Sequence, residues 1–288
     1  MEETGHTWTD GEPEQLVALE VDRPHAARVY DCLLGGKTHY AADREQAEKV
    51  LATVPSAEAS ARENRAFVHR VARALVTEHG IGQFLDIGTG IPASPNLHEV
   101  AQAADPAARI VYADNDPIVL THSRALHTSS PEGRTAYIQA DATDPWSILR
   151  APALRDTLDL ERPVAVTLCL LLHWLPPDYD CYAMVRTLMD AVPGGSALVV
   201  THVTADFDVR VSRIEEDFEE TGSPVRTRTR AQVERFFDGL RLLEPGLVAP
   251  QHWRPEPVEI EAGVREALRD GDVPIWAGVG LKPAAGAG

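Results

Sequence analysis

Three segments of the chain place glycine or aspartate where a strand should end. Phe84-Leu-Asp-Ile-Gly-Thr-Gly90 reads as a short buried strand, a glycine turn and then a helix. Without Cβ atoms, Gly88 and Gly90 let the backbone approach a flat or charged ligand and adopt positive φ. Free N–H groups at the next helix start suit anionic or polar atoms. Asp114 closes the next strand, 24 residues beyond Gly90. A carboxylate there can accept both hydroxyls of a ribose, each charge-assisted bond contributing about 1.5–3 kcal/mol. Asp141 ends a third strand and is placed to accept from the exocyclic amine of an adenine. Each acid alone reads more readily as a helix cap or a solvated residue. Together, on one edge of a parallel sheet, the three ends describe a nucleoside crevice.

The elements that must position these residues follow from apolar periodicity. Strands are expected at residues 83–87, 109–113, 135–140, 164–172 and 196–203, with helical stretches between them. Val164 to Leu172 is apolar apart from Thr167, as in a strand covered on both faces. Runs at 240–248 and 273–281 are expected to form an edge hairpin, giving seven strands with the last antiparallel. The fold class is therefore α/β, a Rossmann-like, mostly parallel sheet in a three-layer sandwich. Residues 1–79 read as an N-terminal helical cap and 80–288 as the binding domain. In the cap, Asp43-Arg-Glu-Gln46 and Ser60-Ala-Arg-Glu63 have capping-box form, and the second helix ends near His79-Gly80. Ser94-Pro95 and Asp116-Pro117 are expected to start helices running to about Ala104 and Leu126. Residues 206–230 read as an insertion with one acidic helix at about 214–221.

Composition narrows the classes. The chain has 288 residues, 27 Lys+Arg against 44 Asp+Glu and a net charge of −17. At 44% apolar and 25% charged it is globular in composition. The acidic balance opposes nucleic acid and anionic membrane surfaces, which gain affinity from Lys/Arg contacts. Arg226-Thr-Arg228-Thr-Arg230 is the one basic cluster, read as a solvated loop or a small anion site. Three scattered cysteines (Cys32, Cys169, Cys181) without CxxC spacing oppose a zinc knuckle and a disulfide framework. They fit a reducing cytoplasm. No metal is expected, since the histidines show no ligand spacing. The polar, acidic start shows no signal-peptide pattern.

Two cofactors fit a nucleoside held this way. Gly88-Thr-Gly90-Ile-Pro-Ala93 matches the G-x-G-x-x-A of a nicotinamide dinucleotide site, which would make an NAD(P)-dependent oxidoreductase. S-adenosyl-L-methionine fits better. Asp86, two residues before Gly88, is unfavourable beside a pyrophosphate and favourable beside an ammonium. Asp141 follows the third strand, Pro193-Gly-Gly195 precedes the fifth, and an apolar edge hairpin closes the chain.

At these residues the chain resembles the class I S-adenosylmethionine-dependent methyltransferases over about residues 80–282. More closely, it resembles an actinobacterial S-adenosyl methyltransferase family formerly catalogued as a domain of unknown function. The matching stretches include Arg28-Val-Tyr-Asp-Cys-Leu-Leu-Gly-Gly-Lys37, Ala41-Ala-Asp-Arg-Glu45 and Glu63-Asn-Arg-Ala-Phe67. They continue with the Phe84–Gly90 motif, Tyr112-Ala-Asp-Asn-Asp-Pro117 and residues 230–247. The resemblance implies that Gly88 and Gly90, with Thr89 between them, back the methionine part of the cofactor. It implies that Asp114, with Asn115 beside it, takes the ribose, and Asp141 with Ala142 the adenine. Pro92 stands where many methyltransferases carry a third glycine.

Methyl transfer from a sulfonium is an in-line displacement whose main demand is alignment, worth about 7–11 kcal/mol. A base is needed only if the nucleophile loses a proton. His173, just past the fourth strand, is the candidate, with His202 a weaker second; a structural histidine is the alternative reading. Tyr30, Gly35, Gly36 and Lys37 form a candidate lid that Asn64 and Arg65 would complete, the aromatic face stabilising a sulfonium by about 0.5–2 kcal/mol. The acceptor is expected to be a small molecule. A cofactor-binding protein of the same fold without turnover remains an alternative.

Overall fold

Strand residues alternate faces, so a strand buried on both sides must be apolar throughout. Gln83–Ile87 (β1) shows this: Phe84 packs into one core cluster, Leu85 and Ile87 into the other. In Ala197–Val203 (β5), Leu198 and Val200 face one layer, Ala197 and Val199 the other. The computed structural model describes residues 20–119, 121, 129–176, 178–219, 225–256 and 268–284. Its seven strands are β1, Arg109–Asp114 (β2), Arg134–Gln139 (β3), Ala165–Cys169 (β4), β5, Arg241–Leu242 (β6) and Ile275–Leu281 (β7). They are ordered β3-β2-β1-β4-β5-β7-β6. The first five are parallel, and β7 runs antiparallel to both β5 and β6.

The long helix Ala57–His79 (α3) carries Phe67, Val71 and Leu75 at four-residue spacing and packs against β4 and β7, burying all three in one core cluster with Phe84, Ala165 and Ala277. Gly80 ends it in the left-handed conformation at φ 64°. Cys181–Asp190 lies in the opposite layer, where Met184 and Leu188 meet Val166 and Val200. Two shorter helices, Ala26–Leu33 (α1) and Ala41–Thr53 (α2), precede α3. Val50, Val54 and Ala57 form a separate apolar cluster with Val211, Ile214 and Phe218 of the 206–230 insertion.

Several local expectations need correction. Asp43 is the third residue of α2 and accepts the Tyr40 amide at 2.8 Å, so the cap lies at Tyr40 and not at Asp43. Ser60 lies inside α3, donating to Ser56 O at 3.1 Å. The helix after the glycine motif starts at Leu97 behind Asn96, not at Ser94-Pro95. The run 164–172 stops being a strand at Cys169, because Leu170 turns to φ 51°. The run 240–248 pairs only at residues 241–242, plus a bridge from Val248 to Ala277. Glu244-Pro245-Gly246 breaks it: proline cannot donate to the ladder and Gly246 sits at φ 88°. Most of the helix expected at 116–126, and residues 220–221 of the acidic helix, lie outside the described residues.

Candidate active site

The carboxyl ends of β1 to β5 share one sheet edge, and the connections diverge between β1 and β4. Such a switch point leaves a crevice. A cavity of about 450 Å³ occupies it. Its wall runs from Asp141 and Ala142 after β3, through Asp114 and Asn115 at the end of β2, to Asp86, Gly88, Thr89 and Gly90 at β1. It continues to Cys169 and His173 beyond β4. Tyr30 of α1 and Asn64 and Arg65 of α3 also line it.

Gly36 and Lys37 are not part of that wall. Lys37 is exposed, and a Cβ on Gly36 would collide with the Asp31 carboxylate. That carboxylate accepts the Thr38 amide at 2.9 Å and lies 2.8 Å from His39 Nδ1. The Leu34-Gly-Gly-Lys37 stretch is therefore a turn built around Asp31, outside the cavity.

At the nucleotide-like end, Gly88 and Gly90 have φ of 74° and 68°. A side chain on Gly88 would strike Leu171, whereas Gly90 has only Ala27 near its missing Cβ, at 3.9 Å. Asp114 is buried; its oxygens accept the amides of Gly90 at 2.9 Å and Asp116 at 3.0 Å. Burial still holds its carboxyl above the usual range. Asp141 is exposed, and its Oδ1 accepts the amide and hydroxyl of Thr143, each at 2.8 Å.

In the middle, Asp86 accepts hydroxyl hydrogen bonds from Thr167 and Thr89, while burial raises its carboxyl above the ordinary value. The Tyr30 hydroxyl donates to Ala61 O at 3.0 Å and accepts from Asn64 Nδ2 at 2.9 Å. Burial pushes that phenol up to about 12, so it stays neutral. Asn64 Oδ1 is buried without a partner, an orphaned acceptor beside the cavity. Arg65 donates to Ala93 O and to Pro95 O, tying α3 to the glycine loop. These carboxylates, the orphaned amide oxygen and the open space at Gly90 form a set of acceptors and clearance that suits a ligand carrying hydroxyls and positive charge.

Beyond β4 the wall changes character. His173 is 3% exposed, and burial with neighbouring His202 and Arg228 drives it well below the ordinary histidine value. It is a neutral imidazole whose Nδ1 has no partner. His202 is outside the wall. Its partners fix the tautomer: Nδ1 donates to Val203 O at 2.8 Å, and Nε2 accepts from Arg228 Nη1 at 2.7 Å. Burial and Arg228 push it down to about 3. Arg228 is correspondingly buried, not solvated as expected, and also donates to Leu172 O at 3.1 Å.

Sequence reasoning missed the apolar half of the wall: Val54, Trp174, Phe218, Val225 and Ile275. Val50 and Val54 carried a signal, a helical stripe, but a stripe does not say whether it faces core or cavity.

The strand order and the crevice at its switch point define a Rossmann-like α/β protein. The family model for S-adenosyl methyltransferases matches residues 12–283. The chain belongs to that family, and it is an S-adenosylmethionine-dependent methyltransferase with S-adenosyl-L-methionine as its cofactor. It is similar to a solved DUF574 family protein of Streptomyces avermitilis, at 45% identity and TM-score 0.88 over 92% of this chain and 100% of that one. A presumed methyltransferase of Thermobifida fusca shares 40% identity at TM-score 0.84, over 92% of this chain and 97% of that one. The same comparison against curated proteins returned no match. Family membership decides between the two cofactors weighed from the glycine motif. Among the described residues no helix is long and apolar enough to cross a membrane, and no group of three His, Cys, Asp or Glu side chains is placed to hold a metal.

Proposed function

We propose that this methyltransferase acts on a small-molecule acceptor held under α1 and α2, residues within the N-terminal cap expected at 1–79. The observation that carries this reading is the single cavity running from Asp141 and Asp114 past Asp86 to His173, walled on the far side by Tyr30, Val54 and Phe218. A polymer needs an open groove, and the net charge of −17 opposes a nucleic acid.

S-adenosyl-L-methionine supplies a methyl group on a sulfonium, open to in-line attack. In this reading Asp114 accepts the ribose hydroxyls and Asn115 lies alongside. Asp141 and Ala142 border the adenine. Gly88, Thr89 and Gly90 give the methionine part room to pass, and Asp86 with Asn64 Oδ1 faces its positive charge. Arg65 holds the loop 91–95 in place. Tyr30 turns its ring toward the middle of the cavity and its hydroxyl toward α3. His173, neutral at physiological pH, orients the acceptor and takes up a proton if the nucleophile must lose one.

Titration calorimetry tests the reading. S-adenosylmethionine and its demethylated product should both bind. No binding of either at millimolar concentration would end it.

A second reading, cofactor binding without turnover, is favoured by one observation: among the described residues that line the cavity beyond β4 there is no Asp or Glu, and His173 is held well below the ordinary histidine value. Tight cofactor binding with no methyl transfer across a broad acceptor panel would select it.

A further inference from the structure

The wall of the cavity changes polarity along the sheet edge. At the ends of β3, β2 and β1 it carries Asp141, Asp114 and Asp86; at the ends of β4 and β5 and the start of β7 it carries Trp174, Val203 and Ile275. Opposite these lie Val54 of the α2–α3 junction and Ile214, Phe218 and Val225 of the insertion. Trp174 meets Phe218 edge to face at 4.8 Å between ring centroids.

Four polar side chains face this half among the described residues, and each is neutral or already satisfied. Cys169 is pushed up by burial and the nearby Asp86 carboxylate, so it stays a thiol. The Tyr30 hydroxyl is used by Ala61 and Asn64. Ser60 Oγ donates to Ser56 O. His173 is the exception, with Nδ1 unpartnered. Among the described residues that line this half there is no Lys, Arg, Asp or Glu to anchor a carboxylate, phosphate or ammonium. A charge moved into such a chamber loses its hydration and gains no partner.

We propose that the methyl acceptor is an uncharged, predominantly apolar small molecule with one hydrogen-bonding group, seated between Trp174, Phe218, Val54 and Val225 with that group at His173. This rests on the methyltransferase reading of the cavity and adds the chemical class of the acceptor. A charged metabolite is disfavoured, because the described lining of this half supplies no counter-charge. An apolar one is favoured because it buries hydrophobic surface against a preformed wall.

The test uses the full chain saturated with S-adenosylhomocysteine, with Nile red as a neutral fluorescent reporter of the apolar half. Three competitors of one shape are compared: naphthol, naphthoate and naphthylmethylammonium. Naphthol should displace the reporter, and both ions should be at least about tenfold weaker. Equal or better displacement by either ion overturns the proposal, as does a chamber that takes up no reporter. In a companion variant, Val225→Trp fills the chamber and should abolish displaceable Nile red binding while S-adenosylhomocysteine still binds. Wild-type reporter binding in that variant would place the reporter elsewhere and overturn the assignment. The wild-type competition stands if the variant does not fold. Failure of S-adenosylhomocysteine to bind the wild type would instead sink the underlying reading of the cavity, so the two failures are distinct.

Discussion

The Gly90 amide donates to Asp114 Oδ2 at 2.9 Å, joining the glycine turn after β1 to the end of β2 across 24 residues of chain. The other Asp114 oxygen accepts the Asp116 amide at 3.0 Å. One buried carboxylate therefore fixes the loop that would pass the methionine part and is itself placed for the ribose.

Replacing Asp114 with alanine should accordingly do two things. Two amides near the cavity lose their acceptor, which costs about 1–3 kcal/mol each if they stay dry. Cofactor affinity should fall at least about tenfold, the loss of one charge-assisted hydrogen bond or more. Thermal melts read the first effect and calorimetry the second. Unchanged affinity would show that the ribose lies elsewhere.

Asp86 should behave oppositely in the two assays. Burial raises its carboxyl, so the folded apo protein holds that proton more tightly than the unfolded chain does. The free protein then loses stability as pH rises from the unfolded carboxylate value through the raised one. Asp86→Asn removes that loss. Its melting temperature should exceed the wild type at pH 7, with the gap closing by about pH 4, near the reference carboxylate value. Cofactor binding should weaken about tenfold or more, since the amide no longer opposes a positive charge. A variant less stable than wild type at pH 7 would refute the argument.

Gly36 and Lys37 separate a tight turn from a lid. Gly36→Ala forces a Cβ into the Asp31 carboxylate. The expected cost is about 1–3 kcal/mol, read as a lower melting temperature. Lys37→Ala touches only an exposed side chain. It should leave stability within about 0.5 kcal/mol and cofactor affinity unchanged. A large affinity loss in Lys37→Ala would return this turn to the site.

What was legible in the sequence depended on how local its cause was. β1 was readable to the residue, because an apolar pentapeptide ending in Gly88 has few other uses. Thr229-Arg-Ala-Gln232 has legible capping-box form, and Thr229 does accept the Gln232 amide. The edge positions of Asp114 and Asp141 followed from strand ends alone, whereas Asp86 was placed inside β1 by its distance from Gly88. The early end of β4 was hidden, because nothing in Leu170 itself announces a left-handed residue; Thr201 holds that turn by accepting the Leu170 amide through its hydroxyl. The apolar chamber was hidden for a related reason. Val54, Trp174 and Phe218 come from segments far apart in the chain, and each looks like ordinary core. Buried Arg228 shows the same limit: a basic run looks solvated until His202 and the Leu172 carbonyl are seen beneath it.

Arg28 gives the sharpest test of how the N-terminal cover is attached. It is 4% exposed, with Nε 3.7 Å from Asp43 Oδ1 and 3.6 Å from Asp116 Oδ2. Asp43 accepts the His25 amide at 2.9 Å, and Asp116 caps the helix after β2 through the Ile118 amide at 2.8 Å. One guanidinium thus joins α1, α2 and the helix start that follows Asp114. Arg28→Met keeps the apolar stem but leaves buried Asp43 and Asp116 without their guanidinium, with only His25 Nδ1, 3.3 Å from Asp116 Oδ2, beside them. Breaking such a group costs about 3–5 kcal/mol. The loss should fall on the cover, since α3 is held independently by Phe67, Val71 and Leu75 in the sheet core. Limited proteolysis should then cut between residues 20 and 56 while the sheet remains folded, and cofactor dissociation should accelerate. Arg28→Lys should recover little, because one ammonium between the carboxylates cannot also reproduce the Nη2 hydrogen bonds to Glu20 O at 3.2 Å and Arg23 O at 3.3 Å. A protease pattern identical to wild type would mean that the apolar cluster around Val50 and Ile214, and not this charge, holds the cover down.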